Sequence, residues 1–422
     1  MRVSLTELAP LYQGGTPKGI TSVCTAHPLV LRAALRHGRD TGTTVLIEAT
    51  CNQVNHQGGY TGMQPANYAH MAAKLADLEG CSKDAIILGG DHLGPNPWRN
   101  LPAQEALSQA EIMVAAYVSA GFLKIHLDAS MGCLGEPDAM DDATTAKRAA
   151  RLAQVAEDTA KKQGLPPPLY IIGTEVPPPG GADHTLTTIA PTSPKAAKKT
   201  LAVHEKTFAY MGLTQAWDRV IGLVVQPGVE FGNQNVISYD PTQAKALTDV
   251  LNTQTQFVFE AHSTDYQGAA PLAQLVQEGF SILKVGPELT FALRETLYAL
   301  DLIASDLAPD YGHRPLYKAM EALMTEQPTH WNGHYGGSKA EQRTLRHYSL
   351  SDRIRYYWAS APAQAAVTRL FNTLSGRIIP LPLIWQHLPG GDSFADRPLN
   401  PDDVIIWRVT ECLKSYHTAC AV

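Results

Sequence analysis

The stretch LGGDHLGPNPW, Leu88 to Trp98, sets a carboxylate beside an imidazole at Asp91-His92, where a short apolar run stops and a loop stiffened by Gly94, Pro95 and Pro97 begins. Such neighbours can divide two tasks, one moving a proton while the other holds a cation. Seven further apolar runs carry or end in the same kind of residue. GITSVCTAH ends at His27, TVLIEAT carries Glu48, FLKIHLDAS carries His126 and Asp128, and LYIIGTEV carries Glu175. VIGLVVQPG carries Gln226, FVFEAHST carries Glu260 and His262, and SILKVGPE carries Lys284. One polar residue near a strand end is more often a cap or a satisfied core group than a functional one. Eight such ends turned toward a common point form a site.

At that point Glu48, Asp91, Asp128, Glu175 and Glu260 would repel one another, and a divalent cation would relieve the conflict. Imidazole together with carboxylate suits Zn²⁺ or a neighbouring first-row ion such as Mn²⁺, Ni²⁺ or Co²⁺, whereas an all-oxygen set suits Mg²⁺. His92, Glu175 and His262 are the candidate ligands, with His126 or Gln226 in reserve. The competing arrangement is a metal-free polar cluster whose acids are bridged to Lys124, Lys284 or Arg294. The two lysines also admit Schiff-base chemistry, against which the excess of acids and histidines speaks.

Two loop segments add candidates. TCNQVNHQGGYTGM, Thr50 to Met63, is rich in amides, hydroxyls and glycines, and Gln53 and Asn55 are placed to hydrogen-bond a polyol, although a plain surface loop has the same composition. YSLSDRIRYYW, Tyr348 to Trp358, sets Arg353 and Arg355 among hydroxyls and aromatics, and arginine is shaped to hold a phosphate.

The elements that must position these residues follow from periodicity. Between the apolar runs lie stretches such as PANYAHMAAKLADL, where Tyr68, Met71, Ala72, Leu75 and Leu78 recur at the spacing of one helical face. Apolar strands alternating with amphipathic helices predict a parallel sheet, and eight repeats predict closure into an α/β TIM (β/α)8 barrel. The alternation fades after about residue 300, so residues 1–305 are expected to form the barrel and residues 306–422 a mainly helical C-terminal extension. An open doubly wound sheet would begin with a glycine-rich phosphate turn; GITSVCTAH has none, LGGDHLG matches neither a dinucleotide fingerprint nor a Walker loop, and no nucleotide cofactor is expected.

With 34 Lys and Arg against 40 Asp and Glu, the net charge is -6 and like charges do not cluster, which argues against nucleic acid and an anionic membrane surface as partners. No stretch approaches the roughly 18 apolar residues of a membrane span, and MRVSLTELAP lacks the features of a leader, so the chain reads as soluble and cytoplasmic. The 6 cysteines show no CxxC spacing, consistent with free thiols in a reducing compartment.

The segments SVCTAHPLV, LIEATCNQVNHQGGYTGM, LGGDHLGPN, KIHLDASM, IGTEVPPPGG, VVQPGVEFG, EAHSTDYQ, ILKVGPELTFALRE and YSLSDRIRYYW together resemble the GatZ/KbaZ family, known as the non-catalytic subunit of D-tagatose-1,6-bisphosphate aldolase. The family is similar to class II aldolases, metal-dependent barrels acting on ketose phosphates, and includes 4-epimerases of ketohexoses or their 6-phosphates. The resemblance implies acid-base work for Asp91 and metal ligation by His92 and His262; from the residues themselves, Glu260 and Asp128 are further catalytic candidates. His27, Glu48, Gln53, Asn55, His126, Lys284 and Arg353 are expected to contact substrate. At the sixth strand Gln226 stands where the aldolases supply a histidine, which leaves Glu175 as the replacement ligand.

Inverting C4 of a 2-ketohexose by removing its hydrogen gives no enolate, because C4 is β to the carbonyl. Retro-aldol cleavage avoids the difficulty: a base takes the C4 hydroxyl proton, the C3-C4 bond breaks, and the aldehyde turns over before the bond re-forms. An epimerase that retains the fragments and an aldolase that releases them would share this site. The expected partner is a ketohexose or ketohexose phosphate, with assembly into a homo-oligomer. The alternative is a non-catalytic subunit that stabilises a class II aldolase.

Overall fold

A computed structural model describes residues 2–173 and 189–421. Eight parallel strands close a barrel: β1 (Ile20–Cys24), β2 (Val45–Thr50), β3 (Ile86–Leu93), β4 (Lys124–Leu127), β5 (Leu169–Gly173), β6 (Val220–Val225), β7 (Val258–Ala261) and β8 (Ile282–Val285), with β8 pairing back onto β1. Seven fall within the quoted apolar runs, and β3 begins two residues before LGGDHLGPNPW, at Ile86. Burial on both faces explains why the runs read as nearly unbroken apolar sequence. His27 lies past the end of β1, where its Nδ1 accepts the Leu29 amide and caps the helix α1 (Pro28–Thr41).

The outer layer continues with α2 (Pro65–Glu79), α3 (Ala103–Ser119), α4 (Asp142–Gln163), α5 (Pro194–Tyr210), α6 (Pro241–Thr248), α7 (Ala269–Gln277) and α8 (Pro287–Leu307). In α2 the buried stripe runs through Tyr68, Ala72, Ala76 and Glu79, while Leu78 is 64% exposed, so the apolar face is rotated from the one its pattern predicts. Glu79 supplies the reason: its carboxylate takes Arg32 at 2.6 Å and Arg36 at 2.7 Å from α1, which fixes that side of α2 inward.

The chain then forms α9 (Pro315–Glu326), α10 (Lys339–Tyr348), α11 (Ala361–Leu374), α12 (Leu381–His387) and α13 (Pro401–Cys420). The last of these packs against α1, α7 and α8 and touches β1. It therefore fills the gap in the outer wall between α7 and α1, the place a barrel's eighth helix takes. Ion pairs from Asp402 to Arg32 and from Asp403 to Arg36 tie its first turn to α1. No helix among the described residues is long and apolar enough to cross a membrane.

The barrel interior changes character along its axis. Its lower end is apolar, with Ile20, Leu46, Leu169, Ile171, Ile221, Val258 and Ile282 packed on Leu5, Leu8 and Ala9 from the N-terminal segment, which plugs the bottom. Burial of Leu5 and Leu8 contributes about 1.5–3 kcal/mol each to holding that plug. Higher up the interior residues are charged, and the carboxyl ends of the strands open into a cavity of about 770 Å³.

Candidate active site

Glycine makes the charged layer possible. A Cβ on Gly89 of β3 would lie 2.7 Å from Cγ of Glu48, so the absent side chain is the space the glutamate occupies. Glu48 Oε1 meets Lys124 Nζ at 2.6 Å and its Oε2 meets Lys284 Nζ at 2.5 Å. Glu260 Oε2 in turn meets Lys124 Nζ at 2.7 Å. Glu48, Lys124 and Glu260 are fully buried. Burial alone would raise the pKa of Glu260, but the Lys124 and Lys284 charges hold it well below the usual carboxylate range. The repulsion expected between Glu48 and Glu260 is thus answered within the protein by two ammonium groups.

Above this layer sit Asp91 and His92. Adjacent residues of a regular strand point to opposite faces, yet both of these line the cavity. The backbone accounts for it: His92 has φ 49°, and the pairing of β3 with β4 shifts register between Gly90 and Leu93. A left-handed non-glycine residue is strained and is held only where its surroundings over-determine it. Ser263, directly after His262, shows the same feature at φ 52°.

Asp91 Oδ1 lies 2.7 Å from Lys284 Nζ and 2.9 Å from His126 Nδ1, while Cys24 Sγ donates to its Oδ2 at 3.5 Å. Burial works against its charge, but His92 and Lys284 outweigh it and keep the group ionised. His92 Nδ1 is 2.8 Å from Asp128 Oδ2, so Nδ1 carries the hydrogen, and Nε2 lies 3.7 Å from Asp91 Oδ2. Burial is likewise overcome at Asp128, whose pKa the His92 bond draws down to about 2. His262 Nε2 bonds Glu260 Oε1 at 2.9 Å, and burial lowers its pKa to about 3, keeping the imidazole neutral. For Lys284 the opposing burial is exceeded by Asp91, Glu48 and Glu260, which raise its pKa well above the ordinary value. An ammonium so held is a poor nucleophile, which disfavours Schiff-base chemistry.

Asp91, His92, His126 and His262 each offer a donor atom, all within 4.8 Å of one another. Their chemistry fits a divalent first-row ion. His92 is oriented by a carboxylate on its far nitrogen, the common support of a metal-binding histidine. His126 Nε2 faces the Gly173 carbonyl, which only accepts, and the His92 amide donates to Nδ1 at 3.2 Å. An accepting nitrogen 2.9 Å from Asp91 Oδ1 calls for a proton or a cation between them.

The other sequence candidates divide by position. His27, Gln53, Asp128 and Lys284 join Asp91, His92 and His262 in the cavity wall, whereas Glu48, His126 and Glu260 lie behind it. Asn55 does not line the cavity; its Oδ1 accepts the Gln57 and Gly59 amides and shapes the loop. Gln226 is turned away from the imidazoles, with Oε1 accepting the Gly228 and Val229 amides at 2.8 and 3.0 Å. Glu175 lies outside the described residues. Arg353 bonds the His330 carbonyl at 3.0 Å, and Arg355 is the arginine that faces the cavity. Residues not singled out from sequence also enter the wall, notably Tyr60, Asp265 and Tyr356. Tyr60 belongs to the amide-rich loop Thr50 to Met63, where nothing in the spacing distinguishes it.

A model of the D-tagatose-1,6-bisphosphate aldolase subunit GatZ/KbaZ-like family matches residues 5–421. The D-tagatose 6-phosphate 4-epimerase of Agrobacterium fabrum (strain C58 / ATCC 33970) is 55% identical over 419 residues, covering 99% of each chain. A solved structure of a probable tagatose 6 phosphate kinase from Sinorhizobium meliloti 1021 is 49% identical, with a TM-score of 0.87, covering 96% of this chain and 100% of that one. The fructuronate-tagaturonate epimerase UxaE of Cohnella laeviribosi, at 11% identity and a TM-score of 0.51 over 95% of this chain and 82% of its own, shares the fold.

Proposed function

The chain belongs to the GatZ/KbaZ-like family, and from that premise we infer that it is an enzyme inverting C4 of a ketohexose 6-phosphate, interconverting D-tagatose 6-phosphate and D-fructose 6-phosphate by retro-aldol and aldol steps. The observation that carries this reading is the gathering of Asp91, His92 and His262 in the wall of one cavity, with His126 directly behind them and Glu48 and Glu260 bridged by lysines. The similar Agrobacterium protein, by its name, performs this type of conversion.

The carboxylates of Asp91, Asp128, Glu48 and Glu260 stand against the ammonium groups of Lys124 and Lys284, and a divalent cation held by His92, His262 and His126 would supply the balancing charge in place of a proton on His92. Bound there, such an ion supplies a fixed positive charge against the negative charge that develops on the sugar oxygens. Asp91 receives the C4 hydroxyl proton as the C3-C4 bond breaks and returns it when the bond re-forms on the other face. Lys284, 2.7 Å from Asp91, keeps that carboxylate anionic until the proton arrives. Asp128 fixes the ring of His92. The sequence contains no GxxxxGK[S/T] segment to hold ATP in the P-loop manner, so nothing in it supports the kinase description of the Sinorhizobium relative over the epimerase reading.

The test uses D-tagatose 6-phosphate deuterated at C4, with purified protein and Zn²⁺, Mn²⁺ or Ni²⁺. Retro-aldol inversion leaves the C4 hydrogen attached throughout, so the product keeps all its deuterium, no primary isotope effect is seen, and a chelator stops the reaction. Washout of the label or a primary effect would refute the route. Inactivity with every metal, combined with stimulation of an added class II aldolase, would instead establish the subunit role that the family description names.

A further inference from the structure

The turn Arg353–Tyr357 is fixed at both ends, the Arg353 amide donating to the Tyr335 hydroxyl at 3.2 Å and the Tyr357 hydroxyl to the Gln327 carbonyl at 2.5 Å, and the chain just before it is held by Tyr266, whose hydroxyl donates to the Leu350 carbonyl at 2.7 Å. Arg355 projects from this turn into the cavity wall beside Tyr60 and Tyr356. Its guanidinium is held in place by protein. Nη1 donates to the Ser351 and Asp352 carbonyls, Nη2 donates to the Tyr356 hydroxyl at 3.0 Å, and the group lies 4.5 Å from the Tyr356 ring centroid.

These bonds use three of five N–H groups, and the Nε–H and one Nη2–H have no acceptor among the described residues. No carboxylate among the described residues lies within ion-pair distance of Arg355: Asp352 gives Oδ1 to Arg294 at 3.0 Å, and Asp265, whose Oδ1 accepts the Gly286 and Glu288 amides, acts on Arg355 only from farther away. Of the two cations in the described cavity wall, Lys284 is engaged by Asp91 and Glu48, which leaves Arg355 as the one not paired with an acid. A fixed guanidinium with two spare donors is well matched to a phosphate.

We propose that Arg355 anchors the C6 phosphate of the substrate and, by holding the phosphorylated fragment through inversion, keeps the reaction an epimerisation rather than a cleavage. This rests on the retro-aldol reading above. When the C3-C4 bond breaks, its electron pair stays on C3 to form the enediolate of carbons 1 to 3, and the O4 proton passes to Asp91 as C4 becomes an aldehyde carbon. Carbons 4 to 6 leave as glyceraldehyde 3-phosphate, so the phosphate is on the fragment that must turn without escaping. Anchored at its phosphate, that fragment rotates about its own bonds and presents the opposite face of C4. C3 then forms the new bond, and the proton returns to O4. Tyr60 and Tyr356, with ring centroids 4.7 Å apart, close the wall around the same point.

The experiment compares wild type, Arg355→Ala and Arg355→Lys. It reads kcat/KM for D-tagatose 6-phosphate against D-tagatose, release of glyceraldehyde 3-phosphate by a coupled dehydrogenase, and binding of D-tagatose 6-phosphate by calorimetry. Loss of a charge-assisted two-point contact should lower the selectivity for the phosphorylated sugar roughly 100-fold in Arg355→Ala and raise aldehyde release per inversion. Arg355→Lys, which keeps the charge without the fork, should fall between and guards against a misfolded alanine variant. Equal losses on both sugars, or unchanged selectivity in both variants, would overturn the anchor. If the wild type proves inactive, calorimetry still decides: Arg355-dependent binding of the 6-phosphate upholds the anchor while the epimerase reading fails, and binding indifferent to Arg355 sinks the anchor.

Discussion

Replacing Lys124 by methionine keeps the length of the side chain and removes its charge from the middle of the barrel. The ammonium lies 2.6 Å from Glu48 and 2.7 Å from Glu260, all three side chains being fully buried. Only Lys284 would then serve both acids, at 2.5 Å from Glu48 and 3.5 Å from Glu260. Breaking a buried ion pair from one side costs about 3–5 kcal/mol. A second route limits that loss, since a buried glutamate can take up a proton instead of remaining an unpaired anion. At pH 7 this costs about 1.4 kcal/mol for each unit above an ordinary glutamate pKa near 4.3, or about 4 kcal/mol. In the variant the native state then holds a proton that the unfolded chain lacks, so stability falls as pH rises from about 4.3 toward 7. Lys124→Met should therefore lose about 3–4 kcal/mol at pH 7 and about 2 kcal/mol less at pH 5.5 relative to wild type, read from urea unfolding followed by circular dichroism. A loss under 1 kcal/mol at pH 7, or one that does not shrink at pH 5.5, would refute the account of the charged layer.

His92→Ala should bind little of the metal that wild type retains and lose activity on the order of 10³-fold, as expected from removing a charge-stabilising contact of several kcal/mol. Asp128→Asn keeps an acceptor for the His92 Nδ1 hydrogen but removes its charge, and should weaken metal binding about 10- to 100-fold. Metal analysis and chelator competition read both, and full metal content in either variant would move the site. Gly89→Ala should destabilise by about 1–3 kcal/mol through overpacking against Glu48, whereas Gly333→Ala, with nothing within 4 Å of the added carbon, should be near neutral. Equal melting temperatures for the two would refute the close-approach argument.

The barrel was legible in the sequence because strands buried on both faces cannot hide: eight apolar runs interrupted by amphipathic stretches leave few other architectures. Asp91-His92 stood out for a related reason, an acid and an imidazole at the end of a run where apolar residues were otherwise obligatory. Who neutralises whom was not legible. Lys284 and Glu48 are 236 residues apart and meet only because the barrel closes, so acids that read as a case for a cation are partly satisfied by lysine. Fine orientation was hidden as well. Arg353 and Arg355 look equivalent in YSLSDRIRYYW, and only the path of the turn decides which one faces the cavity. Asn55 and Gln226 have the composition of ligand-binding amides, but a side-chain amide can equally satisfy nearby backbone groups, and here both do. The position of α13 in the outer wall follows from packing against α1 and α7, which no periodicity within its own 20 residues announces.

Aldol cleavage and C4 inversion share every bond change up to the moment when the aldehyde either leaves or turns over. The floor of the cavity, with Asp91, His92 and His262, cannot decide between them, since it acts on atoms common to both outcomes. On the proposed route the decision falls to groups that would touch the departing fragment, and the candidates in the cavity wall are Tyr60 from the loop after β2, and Arg355 and Tyr356 from the turn before α11. That turn is fastened to the loops after β6 and β7 through Asn233 and Tyr266. A chain segment inserted between the eighth strand and the helix that completes the outer wall thus lends Arg355 and Tyr356 to the wall of the cavity that Asp91, His92 and His262 also line. Substitutions in this segment should shift the balance between inversion and release without disturbing metal content, while substitutions in the floor should abolish both outcomes together. A floor variant that cleaved normally but failed to invert would contradict this division.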